Sequence, residues 1–197
     1  MRPQVSSPVP CPAEIRTERL ILRRWREDDL APYARLSGDP QVMRYFYRTR
    51  TLEDGTAEGR WLAERFDVDG YGPWAVEAPG LTPFLGFVGC WRTRRELPFT
   101  PAVEIGWRLD KPYWGRGYAV EAAQASLADL FACTDLTEVV AYTARQNAPS
   151  RRVMEKLGMT HDPAEDFQHP AVPQDHPLAR SVLYRLDRPT RPQGRPP

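Results

Sequence analysis

Hydrophobic and polar positions fall into two periods along this chain. Six short stretches are dense in Val, Ile, Leu, Trp or Tyr and bounded by turn residues: RLILRRW (19–25), PWAVEA (73–78), PFLGFVGCWRT (83–93), AVEIGWRLD (102–110), EVVAYTA (138–144) and SVLYRLD (181–187). Such runs predict strands. In the last, Val182, Tyr184 and Leu186 alternate with Ser181, Leu183 and Arg185, which predicts a half-buried ribbon. Longer spacing predicts helices over Asp28–Ser37, Gln41–Tyr47, Thr51–Phe66, Gly117–Cys133 and Asn147–Leu157. The fourth carries Val120, Ala123, Leu127, Leu130 and Phe131 as one apolar stripe. The fifth opens on Asn147 as N-cap, holds Pro149 in its first turn and stops at Gly158. Three strands in a row, then strand–helix–strand, predict a mixed α/β sheet with helices on both faces.

Composition narrows the class. The 197 residues suit one domain, and 41% hydrophobic with 27% charged residues is an ordinary globular balance. We expect Pro-rich disordered tails over 1–12 and 189–197, and one domain over 13–188. A net charge of +1 gives no bulk argument for nucleic acid. No apolar run approaches the roughly 20 residues a membrane span needs. Cys11, Cys90 and Cys133 are widely spaced, odd in number and without a CxxC pair, which predicts reduced thiols and a cytoplasmic location. His161, His169 and His176 lie in a proline-rich segment without metal-ligand spacing, so we expect loop histidines, no metal, and a lid or excursion before the last strand.

The turn Gly115-Arg116-Gly117 follows a strand and opens a helix, a recurrent device for holding phosphate on main-chain N–H groups at a helix N-terminus. Tyr118 and Ala119 stand where a P-loop needs Lys and Ser/Thr, and Val120 stands where a dinucleotide turn wants a third glycine. The segment VEIGWRLDKPYWGRGYAVEA resembles instead the acyl-CoA pyrophosphate loop of the GCN5-related N-acetyltransferase (GNAT) superfamily. Trp114 departs from the general Arg/Gln-x-x-Gly-x-Gly/Ala pattern, but the YWGRGYA form is similar to that of the branch acetylating ribosomal-protein N-termini. NAPSRRVMEKLGM (147–159) resembles the family's Asn-x-x-Ser helix, and residues 18–46 its opening strand and helices.

The resemblance implies a GNAT fold with a mostly antiparallel sheet and an acyl-CoA cleft between the fourth and fifth strands. It implies that Gly115, Arg116, Gly117, Tyr118 and Ala119 meet the diphosphate, with Arg152 nearby. Main-chain groups of Ile105 and Trp107 would polarise the thioester, Asn147 would bind the pantetheine arm, and Ser150 would protonate the sulfur. An ammonium must lose its proton before attacking a thioester, so a base is required. Glu104 is the candidate: it shares a strand face with Ala102, Gly106 and Arg108, and glycine leaves room beside it. Glu121, in the helix's first turn, reads as structural; Tyr142 is a second candidate acid. The expected function is acetyl transfer from acetyl-CoA to a primary amine, on a protein N-terminus or a small molecule, by a monomer or homodimer. The alternative is a non-catalytic acyl-CoA-binding module.

Overall fold

The computed structural model describes residues 11–189; the expected tails fall almost wholly outside that range. Nine strands form one sheet: β1 (Glu14–Arg16), β2 (Ile21–Arg23), β3 (Pro73–Ala78), β4 (Thr82–Arg92), β5 (Val103–Leu109), β6 (Glu138–Ala144), β7 (Thr160–His161), β8 (Phe167–Gln168) and β9 (Arg180–Asp187). The order is β1-β2-β3-β4-β5-β6-β9-β7, with β8 also on β9. Every pairing is antiparallel except β5 with β6, which run parallel and share a single register position, Glu104 opposite Val140. The predicted fourth and fifth strands are therefore β5 and β6, and they diverge.

Helices α1 (Glu27–Gly38), α2 (Leu52–Ala63) and α3 (Arg65–Asp69) precede β3, α4 (Tyr118–Cys133) joins β5 to β6, and α5 (Ala148–Lys156) follows β6. Alternation along the strands separates two cores. Trp74, Val76, Val88 and Ile105 pack with Ala123, Leu127 and Leu130 of α4. Ala75 and Phe87, one residue out of phase, pack with Tyr33, Leu36 and Leu62 of α1 and α2. Helices thus cover both faces. Between α1 and the sheet, Arg23 is 4% exposed and forks onto Asp29 at 2.7 and 2.9 Å, with Glu77 at 2.9 Å.

Three expectations need correction. Residues 41–47 form turns, not a helix: Asp39 accepts the Gln41 N–H and the Met43 N–H, and only isolated turn bonds follow. Pro40 and the Tyr45-Phe46-Tyr47 run leave no apolar stripe to support a longer one. The last strand is not half-buried, because Ser181 through Tyr184 are all covered: Val182 and Tyr184 join the α4 core, while Leu183 packs with Leu97, Val140 and Phe167. Finally, Cys11 and Cys133 are not free thiols but a disulfide, with Cα atoms 5.5 Å apart and 122 residues between them in sequence. No local spacing signals so distant a pair, and Cys11, placed in a disordered tail by composition, is anchored on the end of α4. The thiol argument for a reducing compartment falls with it. Cys90 alone is free among the described residues, and it is buried. Among the described residues no helix is long and apolar enough to cross a membrane.

Candidate active site

Where β5 and β6 part, a cavity of about 750 Å³ opens between the sheet, the start of α4, the start of α5 and the turns at 44–50. Its walls bring together Glu104, Ile105, Trp107, Gly115, Gly117, Tyr118, Ala119, Asn147, Ser150 and Arg152. Of the expected site residues, Arg116 is not in the wall. Its side chain is exposed, and its carbonyl accepts from Arg19 Nη1 at 2.9 Å.

The glycine turn has the expected form and a reason for it. Gly115 and Gly117 sit at φ +73° and +84°, in the left-handed region where a Cβ is strained, and Gly117 is the N-cap of α4. Trp114 N–H donates to Lys111 at 3.1 Å, and Glu121 N–H to Gly117 at 3.1 Å; among the described residues the six N–H groups between them meet no acceptor. Such a row of donors at the positive end of a 16-residue helix suits a diphosphate. Glu121 is structural: it accepts from Thr17 Oγ1 at 2.6 Å, Arg19 N at 3.0 Å and Arg19 Nε at 2.7 Å. Against the burial that favours its neutral form, those bonds hold its carboxyl below the usual range. Arg19 therefore clamps helix and turn together.

Glu104 lies on the floor at the point of divergence, 8% exposed, with Oε2 buried and without a hydrogen-bond partner. Burial pushes its carboxyl up to about 7, opposed by the nearby polar groups of Trp91, Thr93 and Tyr142 and by the Arg95 charge. A carboxylate poised near neutrality suits proton transfer. Trp91 stands opposite Glu104 across the β4–β5 ladder, and its ring lies over Gly106, where an added Cβ would come within 2.5 Å. The space beside Glu104 is thus filled by an indole rather than left open; glycine is required because the ring needs the room. Arg108 does not pair with Glu104 but with Glu58.

On the other wall, Asn147 caps α5 by accepting the Ser150 N–H at 3.3 Å and donates to Thr143 Oγ1 at 2.8 Å, so its amide is spent largely on holding the β6–α5 turn. Ser150 Oγ accepts from Trp107 Nε1 at 3.3 Å, leaving its own O–H to point elsewhere. Arg151 turns away, donating to Tyr184 Oη at 3.2 Å. Tyr142 is kept protonated by burial and by the neighbouring Glu104 charge. The histidines are dispersed: His161 contacts Asp166 at 2.8 Å, His169 lines the cavity with its pKa lowered by burial and Arg95, and His176 meets Tyr47 edge-on. Pattern reading missed Trp91, Arg95 and Arg108 as cavity residues; only the register of β4 on β5 reveals how Trp91 sits beside Glu104.

Comparison with known proteins bears on the family and the fold. Residues 19–160 match the family model described as "Acetyltransferase (GNAT) domain". "FsC-acetyl coenzyme A-N(2)-transacetylase" of Aspergillus fumigatus is 34% identical over 137 residues, 64% of this chain but only 56% of that protein. A Bacillus subtilis protein named "Uncharacterized N-acetyltransferase YnaD" is 30% identical over 173 residues, spanning 87% of this chain and 95% of the relative. The crystal structure of a GNAT-family acetyltransferase from Bacillus anthracis superposes with a TM-score of 0.70 at 26% identity, covering 88% of this chain and 98% of that one.

Proposed function

This chain belongs to the GNAT acetyltransferase family, and from that premise we propose that it moves the acetyl group of acetyl-CoA to a primary amine by direct attack within a ternary complex. One observation carries the reading: a row of unengaged main-chain donors and a buried carboxyl titrating near neutrality line the same cavity. The first suits the cofactor's diphosphate, the second the acceptor's proton.

The geometry supports the following roles. Gly115, Gly117, Tyr118 and Ala119 hold the diphosphate on main-chain N–H groups, with Arg152 adding charge. The main chain of Ile105 and Trp107, on the free edge of β5, meets the thioester end. Glu104 takes a proton from the ammonium, directly or through water, and the free nitrogen adds to the thioester carbonyl. The C–S bond then breaks as the amide forms, and Ser150, whose Oγ accepts from Trp107 Nε1, relays the proton that the bonded nitrogen loses on to the departing sulfur, so that amide, thiol and an intact hydroxyl remain. Tyr142, held neutral by burial, stands beside Glu104. Bringing two reactants into one cleft supplies much of the rate without a covalent enzyme intermediate. The YWGRGYA form of the loop supports a branch acting on protein N-termini, and we carry from it only the acceptor class, a primary amine. The non-catalytic alternative is less well supported, since a binding module has no use for a carboxyl tuned to about 7.

The test is release of free CoA from acetyl-CoA across a panel of peptide N-termini and small amines. Release that depends on the amine is expected. Tight binding of acetyl-CoA with no amine-dependent release would overturn the transferase reading.

A further inference from the structure

The acceptor side of the cavity carries an excess of positive charge. Arg48, Arg50, Arg94, Arg95 and Arg108 line it, against Glu58 and Glu104. Glu58 serves two guanidinium groups at one oxygen: Arg108 Nη1 lies 3.2 Å and Arg50 Nε 3.5 Å from Oε2. Arg94 lies on the Trp61 ring, 4.3 Å from its centre, and among the described residues it forms no ion pair.

Arg108 differs from the rest in being 8% exposed. All of its hydrogen bonds leave from Nη1, to Tyr33 Oη at 2.7 Å, Ser37 Oγ at 2.9 Å and Glu58 Oε2 at 3.2 Å. Nε is buried with no partner, and Nη2 donates to nothing among the described residues. A buried donor left unpaired is uncommon and calls for an explanation. Nε and Nη2 form the edge of a guanidinium that takes a carboxylate through two parallel hydrogen bonds. The wall around it is aromatic, with the Phe46 ring 4.7 Å from the guanidinium carbon, and this lowers the local dielectric and strengthens any charge pairing.

Building on the transferase reading, we propose that the acceptor is a small amine that also bears a carboxylate, and that Arg108 holds this carboxylate through Nε and Nη2 while the amine faces Glu104. Glu104 and Arg108 leave the same face of β5 four residues apart, about 13 Å along the strand, with Trp91 between them. The acceptor's two charges are therefore separated by several bonds. The excess of arginines repels polyamines and other purely cationic acceptors. It also favours the uncharged form of the amine, which is the form that attacks.

The experiment measures kcat/KM with the purified full chain and acetyl-CoA. The acceptors are 6-aminohexanoate, 6-aminohexanamide and hexylamine, with glycylglycine and glycylglycinamide as a shorter pair. The carboxylates are expected to exceed their amides by about 10–100-fold, the range of a charged hydrogen-bonded contact. In Arg108→Lys, which keeps the charge but loses the fork, this preference should fall below about threefold. Calorimetric affinity for acetyl-CoA, expected to stay at the wild-type value, shows that the variant is folded. Equal turnover of acid and amide by the wild-type protein, or a preference for hexylamine, would overturn the carboxylate inference and leave the transferase reading standing. Binding of acetyl-CoA with no turnover of any amine would overturn both.

Discussion

Replacing Glu104 with glutamine keeps the shape of the side chain and removes its ability to take a proton, so two consequences with opposite signs follow. The first concerns rate. A carboxyl at about 7 is about one tenth ionised at pH 6 and about nine tenths at pH 8, so wild-type kcat/KM should rise about tenfold between them and then level. The variant should lose about 10²–10⁴ in kcat together with that ionisation. The second concerns stability. The folded protein keeps this proton up to about 7, whereas the unfolded chain releases it near 4.5. Between those values the native state binds more protons, so wild-type stability falls as pH rises through the window and stays lower above it, by about 3 kcal/mol. The Glu104→Gln variant carries no such penalty. Its melting temperature should match the wild type at pH 4 and exceed it at pH 8 by roughly 6–12 °C. Steady-state kinetics over pH 5.5–9 and scanning calorimetry at pH 4 and pH 8 supply both readouts. Wild-type turnover in the variant would move the base elsewhere. A melting difference independent of pH would show that burial does not raise this carboxyl.

Two more outcomes follow from the geometry. Gly117→Ala places a Cβ at a residue with φ +84°, a strain of about 1–2 kcal/mol, and should weaken acetyl-CoA binding about tenfold with kcat little changed; unaltered affinity by calorimetry would remove the turn from the diphosphate site. Asp29→Ala strands the buried Arg23 guanidinium, at a cost of about 3–5 kcal/mol, and should lower the melting temperature by roughly ten degrees without changing the KM for acetyl-CoA; a fall under about two degrees would mean that Glu77 alone compensates the charge.

Much of the fold was legible because its signals are local. Glu138–Ala144 and Pro73–Ala78 carry their β-rich runs between turn residues and match to the residue. The start of α4 was legible from Gly117 and that of α5 from Asn147, since caps announce themselves in sequence. What stayed hidden is relational. Trp91 joins the site only through the β4–β5 register, a pairing that no window of sequence encodes. Strands of two residues such as β7 and β8 exist because β9 offers an edge, not because their own residues demand it. The bond between Cys11 and Cys133 is the extreme case: it depends on where β1 begins relative to the last turn of α4.

The parting of β5 from β6 has a consequence beyond catalysis. It leaves the sheet as two antiparallel halves, β1–β5 and β6–β9, zipped together at one residue pair. Main-chain amides bordering such a fissure lack the partners that strands normally supply each other, and bare strand borders are where chains stick to one another. Whatever molecule threads the fissure therefore acts as a removable strut. On the proposed reading that strut is acetyl-CoA: at a hundredfold excess over its dissociation constant it would add about 2.7 kcal/mol to the folded state, and the durability of the protein would rise and fall with its supply.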